Sequence, residues 1–442
     1  MKSNPYLSGN FGPVTEEVTA FDLQVTGQIP AELNGRYLRN GPNPIAADPE
    51  TYNWFLGDGM VHGVRLHGGQ AEWYRNRWVK SPGSFAPNTN VIGLNGRTLA
   101  LVEAGAPPVE LGFELDTIGT SDFGGTLSHG YTAHPKVDPV SGELHAASYI
   151  WSLPNVIEYT VTGSNGTVIR REEIPVPGSP MVHDISITES YAVFYDLPVV
   201  FNLEDAMAGI GLPYAWSNDY GARVGVLPRQ GTGTDQLRWF EVNPCYVFHA
   251  VNAHDAVGAN GQQLIVLDVI RFDRVFDQSR LGPDESIPYL WRWTLDLQSG
   301  RVTEEQLSDQ PIEFPRVDER LVGKKHRYGW ATSVYSGTGE PGASGIFDGA
   351  SIACYDFQTD SLTRHEMGPG RFAGEAVFVP ASETASERDG YLMSMVYDTG
   401  TDCSDLVILD AQDLLAEPLA TIHLPQRVPF GFHGNYVAEL SG

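Results

Sequence analysis

Four histidines of this 442-residue chain stand in similar company: His134 in Tyr-Thr-Ala-His-Pro, His183 in Pro-Met-Val-His-Asp-Ile, His249 in Tyr-Val-Phe-His-Ala-Val-Asn and His433 in Phe-Gly-Phe-His-Gly-Asn. Each lies in or beside an apolar, β-prone run, where an unpaired imidazole is costly to bury unless something binds it. Four such rings suit a metal centre. Neutral imidazole serves iron, copper, zinc or nickel, and spacing does not choose among them. Four neutral ligands would leave a dication's charge uncompensated, so carboxylates holding each ring through its other N–H are expected nearby. Glu103 at the end of Leu-Ala-Leu-Val, Glu313 in Ile-Glu-Phe-Pro-Arg and Glu375 in Gly-Glu-Ala-Val-Phe-Val are the candidates. A glutamate between apolar residues on a strand needs a partner. The three cysteines, Cys245, Cys354 and Cys403, form no CxxC pair, so neither a thiolate site nor a disulfide framework is expected.

Strands must position these groups. His134 is read at the point where an apolar strand breaks at Pro135, with Asp-Pro-Val-Ser-Gly turning into the next strand. Residues 21–27 alternate like an edge strand, residues 64–74 read as a hairpin with a Gly-Gly turn, and residues 293–302 as another. A recurring signature, an apolar strand, Asp, two residues, a small polar pair and a second strand, is that of radially repeated four-stranded blades. The intervals between the histidines fit blades of roughly 40 to 50 residues with loop insertions. A propeller explains how ligands so far apart in sequence meet, because its innermost strands all face one axis. Helical signals are confined to one or two turns at residues 203–210 and 411–416, and no linker stands out, so residues 1–442 are read as one all-β domain.

Composition narrows the class. Forty-eight glycines, thirty prolines and 11% aromatic residues suit a turn-rich β protein, and no run of 18 apolar residues is present. The first residues lack an apolar core of signal-peptide length, which makes the cytoplasm the default expectation. The net charge of −27 argues against nucleic acid and anionic lipid as partners, leaving apolar contact as the only form of peripheral membrane attachment.

Eight ordered motifs carry a resemblance: Leu-Arg-Asn-Gly-Pro-Asn-Pro (38–44), Gly-Asp-Gly-Met-Val-His (57–62), Ala-His-Pro (133–135), Met-Val-His-Asp (181–184), Phe-His-Ala-Val-Asn-Ala (248–253), Glu-Phe-Pro-Arg (313–316), Gly-Glu-Ala-Val-Phe-Val-Pro (374–380) and Gly-Phe-His-Gly-Asn (431–435). Together they resemble the carotenoid cleavage oxygenase family, the bacterial actinomycete-type enzymes in particular. The resemblance implies a seven-bladed β-propeller with ferrous iron on its axis under a dome of loops and short helices enclosing an apolar tunnel. It implies His134, His183, His249 and His433 as ligands of Fe(2+), and Glu103, Glu313 and Glu375 as the carboxylates behind three of them. His254 is the rival to His249, but the motif places the ligand before Ala-Val-Asn. Thr89 matches a position beside an open coordination site. The implied reaction is cleavage of a C=C bond of a carotenoid or apocarotenoid by O2 into two carbonyls, with an apolar polyene as substrate and no side-chain acid or base.

The chain is trimmed relative to that family between Phe85 and Asn88 and again between Phe201 and Tyr214. Leu197–Phe201 with Met207, Ile210 and Leu212 reads as core packing in preference to a greasy entrance. The stilbene-cleaving branch resembles this chain too, but its phenol-binding lysine corresponds here to Val102, and its tyrosine would fall near Phe85, where the chain has none. Phe430 and Phe432 fit aromatic core or a polyene tunnel. A non-cleaving polyene isomerase and a metal-stabilised binding propeller use the same histidines, and the sequence leaves oligomeric state open.

Overall fold

The recurring aspartates make the corners. Asp138 Oδ1 accepts the N–H groups of Val140 and Ser141, Asp296 those of Gln298 and Ser299, Asp356 those of Gln358 and Thr359, and Asp410 that of Gln412. Each carboxylate mimics a backbone turn and reverses the chain between two strands. Gly68 and Gly69, at φ of +55° and +76°, turn Gly59–His67 into Gln70–Trp78. Hairpins made this way build antiparallel sheets.

The computed structural model describes residues 4–81, 87–334 and 349–439. The strands form a seven-bladed propeller, with an extra two-stranded ribbon, Val199–Phe201 with Tyr214–Trp216, set into blade 4. One edge strand of each blade matters for the site. In blade order these are Gly434–Ala438, Asn90–Leu94, Lys136–Val137, Ile185–Ile187, Tyr246–Val257, Ile312–Arg316 and the split pair Arg371–Ala373 and Val377–Pro380. Edge strands of successive blades touch around most of the ring, so they face a common axis. The ring closes twice over: Gly434–Ala438 pairs with Gly35–Pro42 in blade 1, and Val25–Gly27 pairs with Ala420–His423 in blade 7.

The apolar core lies between blades rather than on the axis. Its largest cluster runs from Ala147 to Tyr355, with Trp293 and Tyr159 fully buried in it, while Trp330 anchors a separate cluster against Phe378. The dome over one face includes the single turn Trp54–Leu56 and the short helix Leu203–Met207, capped by Asn202. Some local expectations change. Only Val25–Gly27 of residues 21–27 is strand, and residues 411–416 form a turn with no helix. No helix among the described residues is long and apolar enough to cross a membrane.

Candidate metal centre

Four of the seven axial edge strands bring a histidine to the same place. His433, His134 and His183 come just before or two residues before the strands that start at Gly434, Lys136 and Ile185, and His249 lies inside Tyr246–Val257. His134 therefore does not end an apolar strand: residues 126–135 are irregular, and the strand begins after Pro135. Proline cannot donate to a ladder, which leaves the histidine free to turn inward. At His249 the pairing with the next strand slips between Val247 and Ala250. Such irregularities re-aim a side chain.

One ligand atom from each of His134, His183, His249 and His433 lies within 4.8 Å of all the others, and all four residues are buried. The Nε2 atoms of His183 and His249 are 3.3 Å apart and those of His249 and His433 are 3.1 Å apart. His134 Nε2 is buried with no hydrogen-bond partner. On the far side of the rings, His183 Nδ1 meets Glu103 at 2.9 Å, His249 Nδ1 meets Glu313 at 2.6 Å and His433 Nδ1 meets Glu375 at 3.0 Å. Ionised carboxylates only accept, so these rings carry their protons on Nδ1 and turn bare Nε2 lone pairs toward one another. Facing lone pairs repel unless a cation sits between them. The spacings fit nitrogens each about 2.1 Å from one centre. The donor set therefore fits a metal ion.

Three carboxylates serve four rings. Among the described residues none bonds the His134 ring, whose backbone N–H is held by Thr132 Oγ1 at 3.3 Å. Electrostatics favour neutral rings at two positions: burial, reinforced by the neighbouring imidazoles, pushes His134 and His249 well below the usual histidine range. At His183 burial is outweighed by Glu103, and the pKa rises. Burial pushes Glu313 up to about 8 against the opposing Phe314 N–H. At Glu375 burial is overcome by Arg316, the His433 ring and the Gly434 N–H, which hold the carboxyl at about 2. A dication at the centre would favour the ionised form of all three.

Arg316 and Asp184 lie within the quoted motifs but had no assigned role. Arg316 reaches Glu375 Oε2 at 3.2 Å, the Gly434 carbonyl at 2.9 Å and Asn435 Oδ1 at 2.7 Å. Asp184 accepts the Ile185 and Ala250 N–H groups and pairs with Lys136 Nζ at 2.8 Å. The signal for both was an ionisable residue beside a candidate ligand in an apolar run. His254 lies apart from the centre, beside His326.

Two cavities flank the histidines. On the dome side a cavity of about 490 Å³ is lined mainly by apolar groups such as Phe55, Val102, Met181, Phe201 and Leu212, together with Thr89 and Glu103. The Thr89 carbonyl accepts the His433 N–H at 3.0 Å and its hydroxyl donates to Asn88 Oδ1 at 2.9 Å. On the opposite side a cavity of about 700 Å³ touches His134, His249 and His433, and its wall mixes charged and amide side chains with apolar ones. The supposed core packing at the dome is divided: Leu197, Val199 and Leu212 are buried, whereas Met207 and Ile210 are exposed, Ile210 lining the apolar cavity together with Trp151. Short helices lack the surface to bury all their apolar side chains. Phe432 packs as aromatic core against Trp54 and Phe55, outside the cavity wall. Phe85 lies outside the described residues.

The family model for retinal pigment epithelial membrane protein matches residues 11–85 and 83–438. A carotenoid cleavage oxygenase of Mycobacterium tuberculosis is 46% identical over 98% of this chain and 97% of its own length. The chain belongs to the carotenoid cleavage oxygenase family. Among solved structures it is similar to the lignostilbene dioxygenase of Pseudomonas brassicacearum (TM-score 0.89, 28% identity, 98% of each chain). It is also similar to cobalt-substituted Synechocystis ACO, an apocarotenoid oxygenase (TM-score 0.85, 28% identity, 97% of each chain).

Proposed function

We propose that this carotenoid cleavage oxygenase family member is a non-haem iron(II) dioxygenase that splits one C=C bond of a carotenoid or apocarotenoid with O2, giving two carbonyl products. The observation that carries the reading is the convergence of four buried imidazoles, three of them held from behind by carboxylates, beside an apolar cavity. His134, His183, His249 and His433 would hold the ion, which supplies binding and activation of O2 for attack on the alkene. Neutral imidazole is a donor suited to iron.

The chain's own part is placement. Glu103, Glu313 and Glu375 keep protons on Nδ1 and so fix which nitrogen faces the centre. Phe55, Val102, Met181 and Leu212 form a dry wall that sets which double bond reaches the reaction point. Thr89 stands on that wall and is tied to His433 through its carbonyl, where its bulk limits access to the open side of the centre. No carboxylate, histidine or lysine is needed to move a proton to the substrate, since both oxygen atoms come from O2. The doubly closed ring supports a single domain over 1–442. Exposed Ile210 and Trp151 in the lining of the cavity, with exposed Leu203 and Met207 on the adjoining short helix, support uptake of an apolar substrate from a membrane surface by a cytoplasmic enzyme in peripheral contact with it.

The structural likeness to a lignostilbene dioxygenase favours stilbene-type alkene cleavage as the second reading. Incubation of the iron(II)-loaded protein in air with a full-length carotenoid, an apocarotenal and resveratrol separates them. Paired carbonyl products from a polyene, absent in His183→Ala, are expected. Cleavage of resveratrol alone would select the second reading, and a rearranged polyene with no cleavage would make the protein an isomerase. Bound iron without turnover would leave a binding propeller.

A further inference from the structure

Resting on the metal centre proposed above, we infer that the axial cavity, the more polar of the two and the one that touches the histidines, is the route by which a divalent cation enters and leaves, separate from the apolar cavity that takes the substrate. The cavity runs from the exposed Asn95 and Glu319 to three of the four histidines. Its wall carries oxygen and nitrogen groups from Asn435, Asn90, Glu375 and Asp184. A hydrated dication sheds water reluctantly and needs oxygen ligands to replace it. The dome-side cavity offers little of that kind, and a charge crossing an apolar wall is strongly disfavoured.

Four cationic side chains, Arg36, Arg97, Lys136 and Arg316, share the wall with Asp184, Glu319, Glu375 and Glu439, and Lys136 is the one nearest a histidine in sequence. Lys136, two residues after His134, places an ammonium group in the cavity wall and would repel an arriving cation were it not paired with Asp184 at 2.8 Å. Asp184 is buried and keeps the Ile185 and Ala250 N–H bonds whether or not the lysine is present. Lys136 thus sets the charge along the path without holding the strands together. Farther out, Val437 on the innermost strand of blade 1 narrows the cavity beside Gly93.

The test uses cobalt(II) alone, added to metal-free full-length protein, with uptake followed by its visible absorption and release followed into excess chelator. Val437→Phe obstructs the axial cavity, Lys136→Met leaves the Asp184 carboxylate without its cation and so makes the path more negative, and Ile210→Trp obstructs the mouth of the apolar cavity. An obstruction raises the barrier in both directions, so Val437→Phe is expected to slow uptake and release alike by about tenfold with Kd unchanged. Lys136→Met is expected to speed uptake roughly tenfold and keeps the test valid should Val437→Phe not fold. Ile210→Trp leaves both rates as they are. Slower exchange in Ile210→Trp, with wild-type rates in the other two, would overturn the inference and route the cation through the apolar cavity. Failure of the wild-type protein to bind one equivalent of cobalt(II) would overturn the metal centre itself.

Discussion

Replacing Glu375 with glutamine separates two jobs that its neighbours do not share. Its Oε1 receives the His433 Nδ1 proton, while Oε2 meets Arg316 and the Gly434 N–H. Arg316 is half-buried and keeps Glu319 as its other carboxylate. Removing one partner of a buried pair costs about 3–5 kcal/mol, and the retained Glu319 puts Glu375→Gln near the lower end, about 3 kcal/mol of folding stability. Glu103→Gln breaks no cation pair. It turns one charged hydrogen bond to His183 into a neutral one, worth about 1 kcal/mol. Toward metal both variants lose a carboxylate behind a ligand ring, so each is expected to weaken cobalt(II) binding about 10- to 100-fold. Urea unfolding of the metal-free proteins and calorimetric cobalt titration measure the two effects apart. If Glu103→Gln and Glu375→Gln destabilise the metal-free fold equally, the assignment of Arg316 as the anchor of Glu375 is wrong.

Two further outcomes follow from buried groups. Burial depresses His145 to about 3, His254 to about 4 and His326 to about 3. The unfolded chain takes up these protons near pH 6.5, so between there and about pH 4 it binds more protons than the fold, and stability falls as pH is lowered. At pH 5 the loss is about 2 kcal/mol for each ring, read as a fall in the urea midpoint; a midpoint unchanged from pH 7 would refute it. Val102→Lys puts an ammonium group in the apolar cavity next to Glu103. It is expected to lower kcat/KM for a polyene about 10- to 100-fold while leaving cobalt binding intact, and equal turnover by wild type and variant would show that Val102 does not face the substrate.

The four histidines and three carboxylates of the candidate centre were legible because each stands in or beside an apolar stretch as a group that water would otherwise claim. Blade corners were legible for a similar local reason: Asp138, Asp296, Asp356 and Asp410 write their turns in the next three residues. What needed the structure was through-space. Nothing near Glu313 in the sequence says that it serves His249 and not His433, and the local pattern around His134 suggested a strand where the chain is irregular. Leu203 and Met207 have the composition of core, but a five-residue helix on a dome has too little surface against it to cover them.

Closure of the ring through Gly434–Ala438 has a consequence for how the protein is made. Gly35 pairs with Ala438, a contact that spans nearly the whole sequence, and His433 reaches the axis only when that strand docks. Before then a nascent chain holds three of the four histidines, on a sheet array still open along one seam. Contacts so distant in sequence form late and slowly. The fourth imidazole is therefore the last part to arrive, and a bound cation would fasten the seam, since an ion held only by the closed ring shifts the balance toward it. Metal binding and closure of the ring thus reinforce one another.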